Sequence, residues 1–252
     1  MTDTPPERRI LSLSGRDVIT FLQGLVTNDM RRLDKGMLYS ALLTPQGKYI
    51  ADFFLVRAGE AVLLDVAEPL GDLLVQRLNL YKLRADVTIA ETGLHLHRGL
   101  GRPPADGHAD PRHQRLGWRA YRDHAQTDDT TDWTALRVAH LIPETGIELT
   151  PDTFILEAGF DRLSGVDFRK GCYVGQEVTA RMRHKTELRK GLAQVTVTGP
   201  AEPGAEISIS GKPVGTLLSR AGDRAIAYLR YDRATGPMQA GDAEIIWDAA
   251  PA

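Results

Sequence analysis

Past Gly191 the chain carries four short apolar runs, at 195–197, 207–209, 214–217 and 225–229, closely and evenly spaced and separated by turns that contain glycine. Strands this short bury one face only by pairing with their neighbours, which restricts the carboxy-terminal part to a small β-barrel or sandwich. Upstream the pattern differs. Val18, Phe21, Leu22 and Leu25 recur at helical spacing behind Ser14-Gly15-Arg16-Asp17, which predicts an amphipathic helix with Ser14 as its N-cap. Two extended runs, 39–43 and 49–57, flank the turn Thr44-Pro45-Gln46-Gly47-Lys48 and predict a hairpin. A strand at 61–66, a helix after Pro69 with Leu70, Leu73, Leu74 and Leu78 on one stripe, and a strand at 85–90 follow. Residues 99–132, rich in Gly, Pro, Asp and His, predict long loops around one short strand at 117–122, and 186–191 reads as a linker. Strands and helices mixed in this order make an α+β protein.

A single cysteine, Cys172, limits the chemistry more than composition does. One thiol permits no internal disulfide and cannot alone supply the several thiolates of a metal or cluster site, so Cys172 is structural or reactive. With 42% hydrophobic and 25% charged residues, the chain has the makeup of an ordinary globular protein rather than a disordered or fibrous one. No run approaches the roughly 20 apolar residues of a membrane span. The formal net charge of −2 argues against a protein that coats nucleic acid over its whole surface, so any such contact falls to a local basic patch. The opening Met1-Thr2-Asp3-Thr4-Pro5-Pro6-Glu7 is acidic and resembles neither a secretory signal nor a transit peptide, which predicts a cytoplasmic location.

Gly99-Leu100-Gly101 continues into Arg102-Pro103-Pro104 instead of a further glycine, and Gly47-Lys48 lacks the flanking residues of a phosphate loop, so nucleotide-binding enzymes lose ground. His95-Leu96-His97 would put two imidazoles on one face of a strand, yet no acidic metal motif accompanies them, and solvent-facing histidines are the expectation. The densest chemistry lies in Lys170-Gly171-Cys172-Tyr173-Val174-Gly175-Gln176-Glu177, followed by Val178-Thr179-Ala180-Arg181. Two glycines bracketing a thiol permit a sharp turn and close approach, while Gln176 and Glu177 suit the first turn of a helix. A helix N-terminus near the sulfur, with Arg169, Lys170 and Arg181 around it, would favour the thiolate. A buried cysteine serving as a small hydrophobe is the alternative. Arg181, Arg183, His184, Lys185, Arg189 and Lys190, broken by Glu187, form one basic cluster, read either as a solvated face or as an anion site.

The run from Lys170 to Glu177, with the Ala180-Arg181 pair after it, resembles the signature of the YgfZ family, folate-binding relatives of the glycine-cleavage T-protein that support iron–sulfur enzymes and include mitochondrial members. The resemblance extends to Phe21-Leu22-Gln23-Gly24, Thr27-Asn28-Asp29, Leu42-Leu43-Thr44-Pro45-Gln46-Gly47, Asp110-Pro111-Arg112, Leu116-Gly117-Trp118-Arg119 and Pro213-Val214-Gly215. It implies a T-protein-like cloverleaf of three domains around a central folate channel: 1–48 with 133–190, a ferredoxin-like 49–132, and a barrel at 191–252. It further implies tetrahydrofolate as cofactor, and iron–sulfur client proteins or their assembly machinery as partners. Support of tRNA-modifying iron–sulfur enzymes belongs to the same reading, with tRNA or a folate tail meeting the basic cluster at 181–190. Cys172 becomes the functional residue, Lys170, Gly171, Tyr173, Gly175, Gln176, Glu177 and Arg181 complete the signature, and Asp52, Glu157 and Lys170 are the expected folate contacts. No metal ligand set and no membrane contact are expected. Where T-proteins carry an acidic pair this chain has Ala51-Asp52, so true aminomethyl transfer is not expected; a folate-dependent one-carbon transferase or demethylase using Asp52 is the alternative.

Overall fold

The computed structural model describes residues 7–185 and 188–247. Residues 1–6, on which the reading of the amino end rested, and part of the expected linker at 186–191 lie outside the described residues. The chain forms two compact units, Pro6–Thr131 with Phe160–Ala180 and Asp132–Gly159 with Arg181–Ala252.

The first unit is built on an antiparallel five-stranded sheet of order β2-β3-β4-β1-β5, formed by β1 (Arg8–Ser14), β2 (Leu38–Leu43), β3 (Tyr49–Ala58), β4 (Ala61–Ala67) and β5 (Thr88–Glu91). The expected hairpin is present: β2 and β3 pair antiparallel across the turn at 44–48, with a register shift between Leu42 and Leu43. Side chains alternate faces along a strand, so Leu11, Leu13, Phe53, Leu55, Leu64 and Val66 line one face, where α1 (Val18–Gln23) and α2 (Gly71–Lys82) bring Val18, Leu22, Leu74 and Leu78. The structure corrects the helix start: Ser14 ends β1, and the N-cap is Asp17, whose side chain makes no capping bond and instead accepts from the Asp86 amide at 2.8 Å. Strand β1 itself was not expected. Both of its faces are covered there, so Ile10 is buried as well as Leu11, which removes the alternation that marks a half-buried strand.

The opposite face holds charge. Ile10, Asp65, Phe54 and Tyr39 lie in one row across β1 to β2 by register. A buried carboxylate costs several kcal/mol unless paired. Asp65 is fully buried and accepts from Arg8 Nε at 2.6 Å, Arg119 Nη2 at 2.6 Å and the Tyr121 hydroxyl at 2.9 Å. Arg119 and Tyr121 come from β8 (Trp118–Arg122), the middle strand of a small sheet with β6 (His95–Gly99) and β7 (His108–Ala109), so one carboxylate pins the small sheet to the large one. The guanidinium groups of Arg119 and Arg112 stand 3.9 and 4.7 Å from the Phe54 ring centre, and Asp110 neutralises Arg112 through two bonds of 2.8 and 3.1 Å. Residues 99–132 thus hold more strand than their composition suggested. His97 also departs from expectation: it is buried, Arg122 Nη1 donates to its Nδ1 at 3.3 Å, and Nε2 is left to donate to the His124 carbonyl at 2.7 Å.

The second unit carries a closed six-stranded barrel of order β10-β11-β12-β9-β14-β13, formed by β9 (Lys190–Thr198), β10 (Glu206–Ile209), β11 (Lys212–Ala221), β12 (Arg224–Arg230), β13 (Met238–Ala240) and β14 (Ala243–Ile246). The four apolar runs supply β9 to β12, and their inward residues Val195, Ile207, Leu217 and Leu229 fill its core. Helix α3 (Trp133–Ala139), capped by Asp132 on the Ala135 amide at 2.8 Å, packs on β11 and β12. Its Arg137 donates to Ser219 Oγ at 2.6 Å and to Glu148 at 3.0 Å, and Ser219 donates back to Glu148 at 2.6 Å. Burial raises the Glu148 pKa, and Arg137 and Ser219 offset only part of that rise.

Removing the Asp65 carboxylate takes the shared acceptor from Arg8, Arg119 and Tyr121, so Asp65→Ala should lower unfolding free energy by about 3–5 kcal/mol in urea titration. Burial alone would raise the Asp65 pKa, but Arg119 and Arg8 hold it at about 2, against 3.8 for an ordinary aspartate. This stabilisation is therefore complete above pH 3.8 and lost as pH falls through about 2.

Candidate functional site

The signature loop is held at both ends and open in the middle. The chain approaches it through Phe160, whose ring stacks on Tyr39 at 5.0 Å, and Gly165, where a side chain would collide with both rings. Residues 164–167 are then stitched to the Thr27-Asn28-Asp29 turn. Thr27 Oγ1 donates to the Gly165 carbonyl at 2.6 Å, Asn28 Nδ2 donates to the carbonyls of Ser164 and Tyr39 at 2.7 and 2.8 Å, and the Asp167 amide donates to the Thr27 carbonyl at 3.0 Å. Short polar side chains at 27 and 28 thereby satisfy backbone carbonyls that neither helix nor sheet would pair. Asp29 turns the other way, onto Arg31, whose side-chain bonds hold its carboxyl at about 2.

Lys170 closes the near end. Its ammonium is buried and donates to the carbonyls of Gln23 at 2.8 Å, Asn28 at 2.9 Å and Val26. An ammonium has three N–H donors, and all three are used. Burial lowers its pKa from 10.5 to about 8, opposed by Asp29 and Asp167.

Beyond it Gly171 and Cys172 are exposed, then Tyr173 turns inward again. Gly175 closes the far end with φ +83°: a Cβ there would stand 2.7 Å from the Thr44 carbonyl and 3.1 Å from the Gly47 Cα, so the hairpin turn rests directly on the signature backbone. Gly47, at φ +75°, meets Val178 in the same way. Helix α4 (Gln176–Lys185) starts here, with the Thr179 hydroxyl donating to the Gly175 carbonyl at 3.2 Å. The thiol is therefore displayed between two anchors, two residues after the caged ammonium and three before the glycine contact. The reading of Cys172 as a buried hydrophobe is excluded by its exposure.

The other expected site residues are engaged elsewhere. Asp52 is buried in the first unit, with the Tyr39 hydroxyl donating to Oδ2 at 3.0 Å and the Tyr49 hydroxyl donating to Oδ1 at 2.6 Å. Glu157 belongs to the second unit, where it accepts from the Tyr228 hydroxyl at 2.6 Å and lies 3.7 Å from Lys190 Nζ. Arg181, Arg183 and His184 are exposed on α4, and Arg189 and Lys190 are exposed beside the barrel, whereas Glu187 and the Lys185 side chain lie outside what is described. Sequence reasoning missed the carbonyl cage itself.

Comparison with known proteins fits this architecture. Residues 189–250 match the CAF17 C-terminal β-barrel domain. The chain is 31% identical over 224 residues to the mitochondrial iron–sulfur cluster assembly factor IBA57 homologue of Mycosarcoma maydis, covering 76% of this chain and 56% of that one. It is 28% identical to the mouse mitochondrial factor IBA57, covering 92% of this chain and 78% of the mouse protein. The crystal structure of the glycine cleavage system aminomethyltransferase T from Bartonella henselae superposes with a TM-score of 0.75 at 13% identity, covering 97% of this chain and 85% of that one, which establishes a shared fold. The chain thus spans little more than half the length of its fungal relative. Two expectations change. The cytoplasmic location read from the amino end is overturned, because these relatives are mitochondrial proteins. The family expected from the signature is right, but the relatives found carry the IBA57 name rather than that of the bacterial YgfZ branch.

Because the unfolded lysine titrates near 10.5 and the native one near 8, the unfolded state binds more protons between these values and stability rises with pH there. Urea unfolding of wild type should gain on Lys170→Met as pH goes from 8 to 10.5; parallel curves would mean that the ammonium is not confined. Gly175→Ala should cost about 2 kcal/mol or more through the left-handed backbone and the collision with Thr44. The chain is a relative of the IBA57 iron–sulfur cluster assembly factors, with a CAF17-type carboxy-terminal barrel on an aminomethyltransferase-like fold.

Proposed function

We propose that the chain assists the maturation of iron–sulfur proteins and that Cys172 is the group through which it acts. The observation that carries this reading is an exposed thiol on a loop fixed at both ends by Lys170 and Gly175. The names of its relatives supply the context. A single thiolate contributes one ligand or one nucleophile, so the partner protein provides the remaining ligands of any cluster that passes through the site. Tyr173 and the caged Lys170 position the loop and touch no cargo.

Tetrahydrofolate is the ligand that the YgfZ resemblance implies. Of the residues expected to meet it, Lys170 has no N–H to spare, while Asp52 already accepts from two tyrosine hydroxyls and Glu157 from Tyr228. The same occupation of Asp52 weighs against the one-carbon transferase, which needs a carboxylate within hydrogen-bond reach of a reacting nitrogen. The exposed Arg181, Arg183 and His184 support tRNA contact as a second reading, with affinity that falls steeply with salt.

In cells lacking their own family member, wild type should restore the activity of an iron–sulfur enzyme. Cys172→Ser should restore none, while its unfolding free energy stays within about 0.5 kcal/mol of wild type. Full restoration by the serine variant would remove the thiol from the function. Calorimetric titration of the chain with tetrahydrofolate tests the ligand separately; saturable heat that survives Cys172→Ser would place folate and thiol in different roles.

A further inference from the structure

The outer side of α2 brings exposed leucines, a left-handed leucine backbone and unpaired cations together at one place. Leu74 and Leu78 face the core, but Leu80 is 64% and Leu83 87% exposed, the most exposed large apolar side chains among the described residues. Leu83 also follows the helix with φ 47° and ψ −106°, a conformation usually left to glycine, at a cost of about 1–3 kcal/mol. Its side chain packs on nothing that would offset the strain. Three cations flank it: Arg77, Lys82 and Arg84 pair with no carboxylate among the described residues. Gln76, Arg77 and Leu80 line a shallow depression of about 350 Å³ beside these leucines.

We infer that this end of α2 docks an acidic protein partner, whose apolar cleft takes Leu83 and Leu80 and whose flanking carboxylates meet Arg77, Lys82 and Arg84. Charge complementarity selects the partner: unpaired cations around an apolar knob are satisfied by carboxylates around an apolar hole. A lipid surface fits less well. Two leucines without an exposed aromatic ring give a weak membrane anchor. A knob fixed by its backbone suits a preformed pocket. The surface is independent of the role given to Cys172, and its test does not read enzyme activity.

The test places the photoreactive residue p-benzoylphenylalanine at position 83 of the full chain in cells, with the same residue at Leu100, an exposed leucine outside the patch, as control. Mass spectrometry then identifies and maps the product. The expected product is one protein, cross-linked at an apolar cleft bordered by Asp or Glu. The Arg77→Glu/Arg84→Glu chain, checked for unchanged thermal unfolding, should cut the yield about tenfold, and reversing the mapped carboxylates should restore it. A lipid adduct, an adduct with a second copy of this chain, a product no stronger than the Leu100 control, or a yield indifferent to charge reversal would each overturn the proposal. Leu83→Gly gives a second readout: it should raise thermal stability by relieving the backbone and at the same time weaken binding of the mapped protein. Unchanged binding would also sink the idea.

Discussion

A positive charge buried among three backbone carbonyls is the constraint around which the signature loop is arranged. The carbonyls of Gln23, Val26 and Asn28 belong to the stretch where α1 ends and the next turn begins, a place where helix carbonyls have no partners of their own. Lys170 answers that need from 140 residues or more away in sequence, and burial of its charge is tolerated because every proton finds an acceptor. The cost shows as a depressed pKa; the gain is a loop whose position no longer depends on local propensity.

The two faces of the first sheet divide the labour. One is packed with leucine, valine and phenylalanine against α1 and α2 and behaves as a conventional core. The other gathers Asp65, Arg8, Arg119, Asp110 and Arg112 about Phe54, with Asp52 between two tyrosines. Networks of this kind contribute less to stability than to uniqueness of packing, because a slipped register would strand a charge. Every member is satisfied, and no buried side-chain donor or acceptor lacks a partner among the described residues.

The sequence was legible where pattern alone decides structure. The hairpin, α2 and four barrel strands follow from period and turn chemistry, and the resemblance carried by Lys170 to Glu177 led to the right fold. What escaped were features set by distant partners. Ser14 looked like a cap because its helix was judged without β5, whose neighbour Asp86 takes the Asp17 carboxylate instead. His97 looked solvent-facing because nothing local announced Arg122 and His124. Asp65, alone in an apolar strand, was a legible anomaly, but its partners Arg8 and Arg119 lie more than 50 residues away and only the fold reveals them. Lys170 was read as a neighbour of the thiol, but three carbonyls already claim it.

These distant contacts also explain why two separated motifs occur together. Gly47 in the hairpin turn and Gly175 in the signature are in contact, each in a left-handed conformation, each leaving room for the other's backbone. Neither glycine is needed for its own turn alone; a side chain at either would separate the hairpin from the start of α4. The far anchor of the Cys172 loop is thus made of main chain on both sides, as the near anchor is made of main-chain carbonyls around one ammonium. Anchors of this sort restrain the chain between them, and Tyr173 turns inward, so Cys172 is held by chain geometry while its side chain stays available. That is the physical condition under which a solitary exposed cysteine is held in place without being buried.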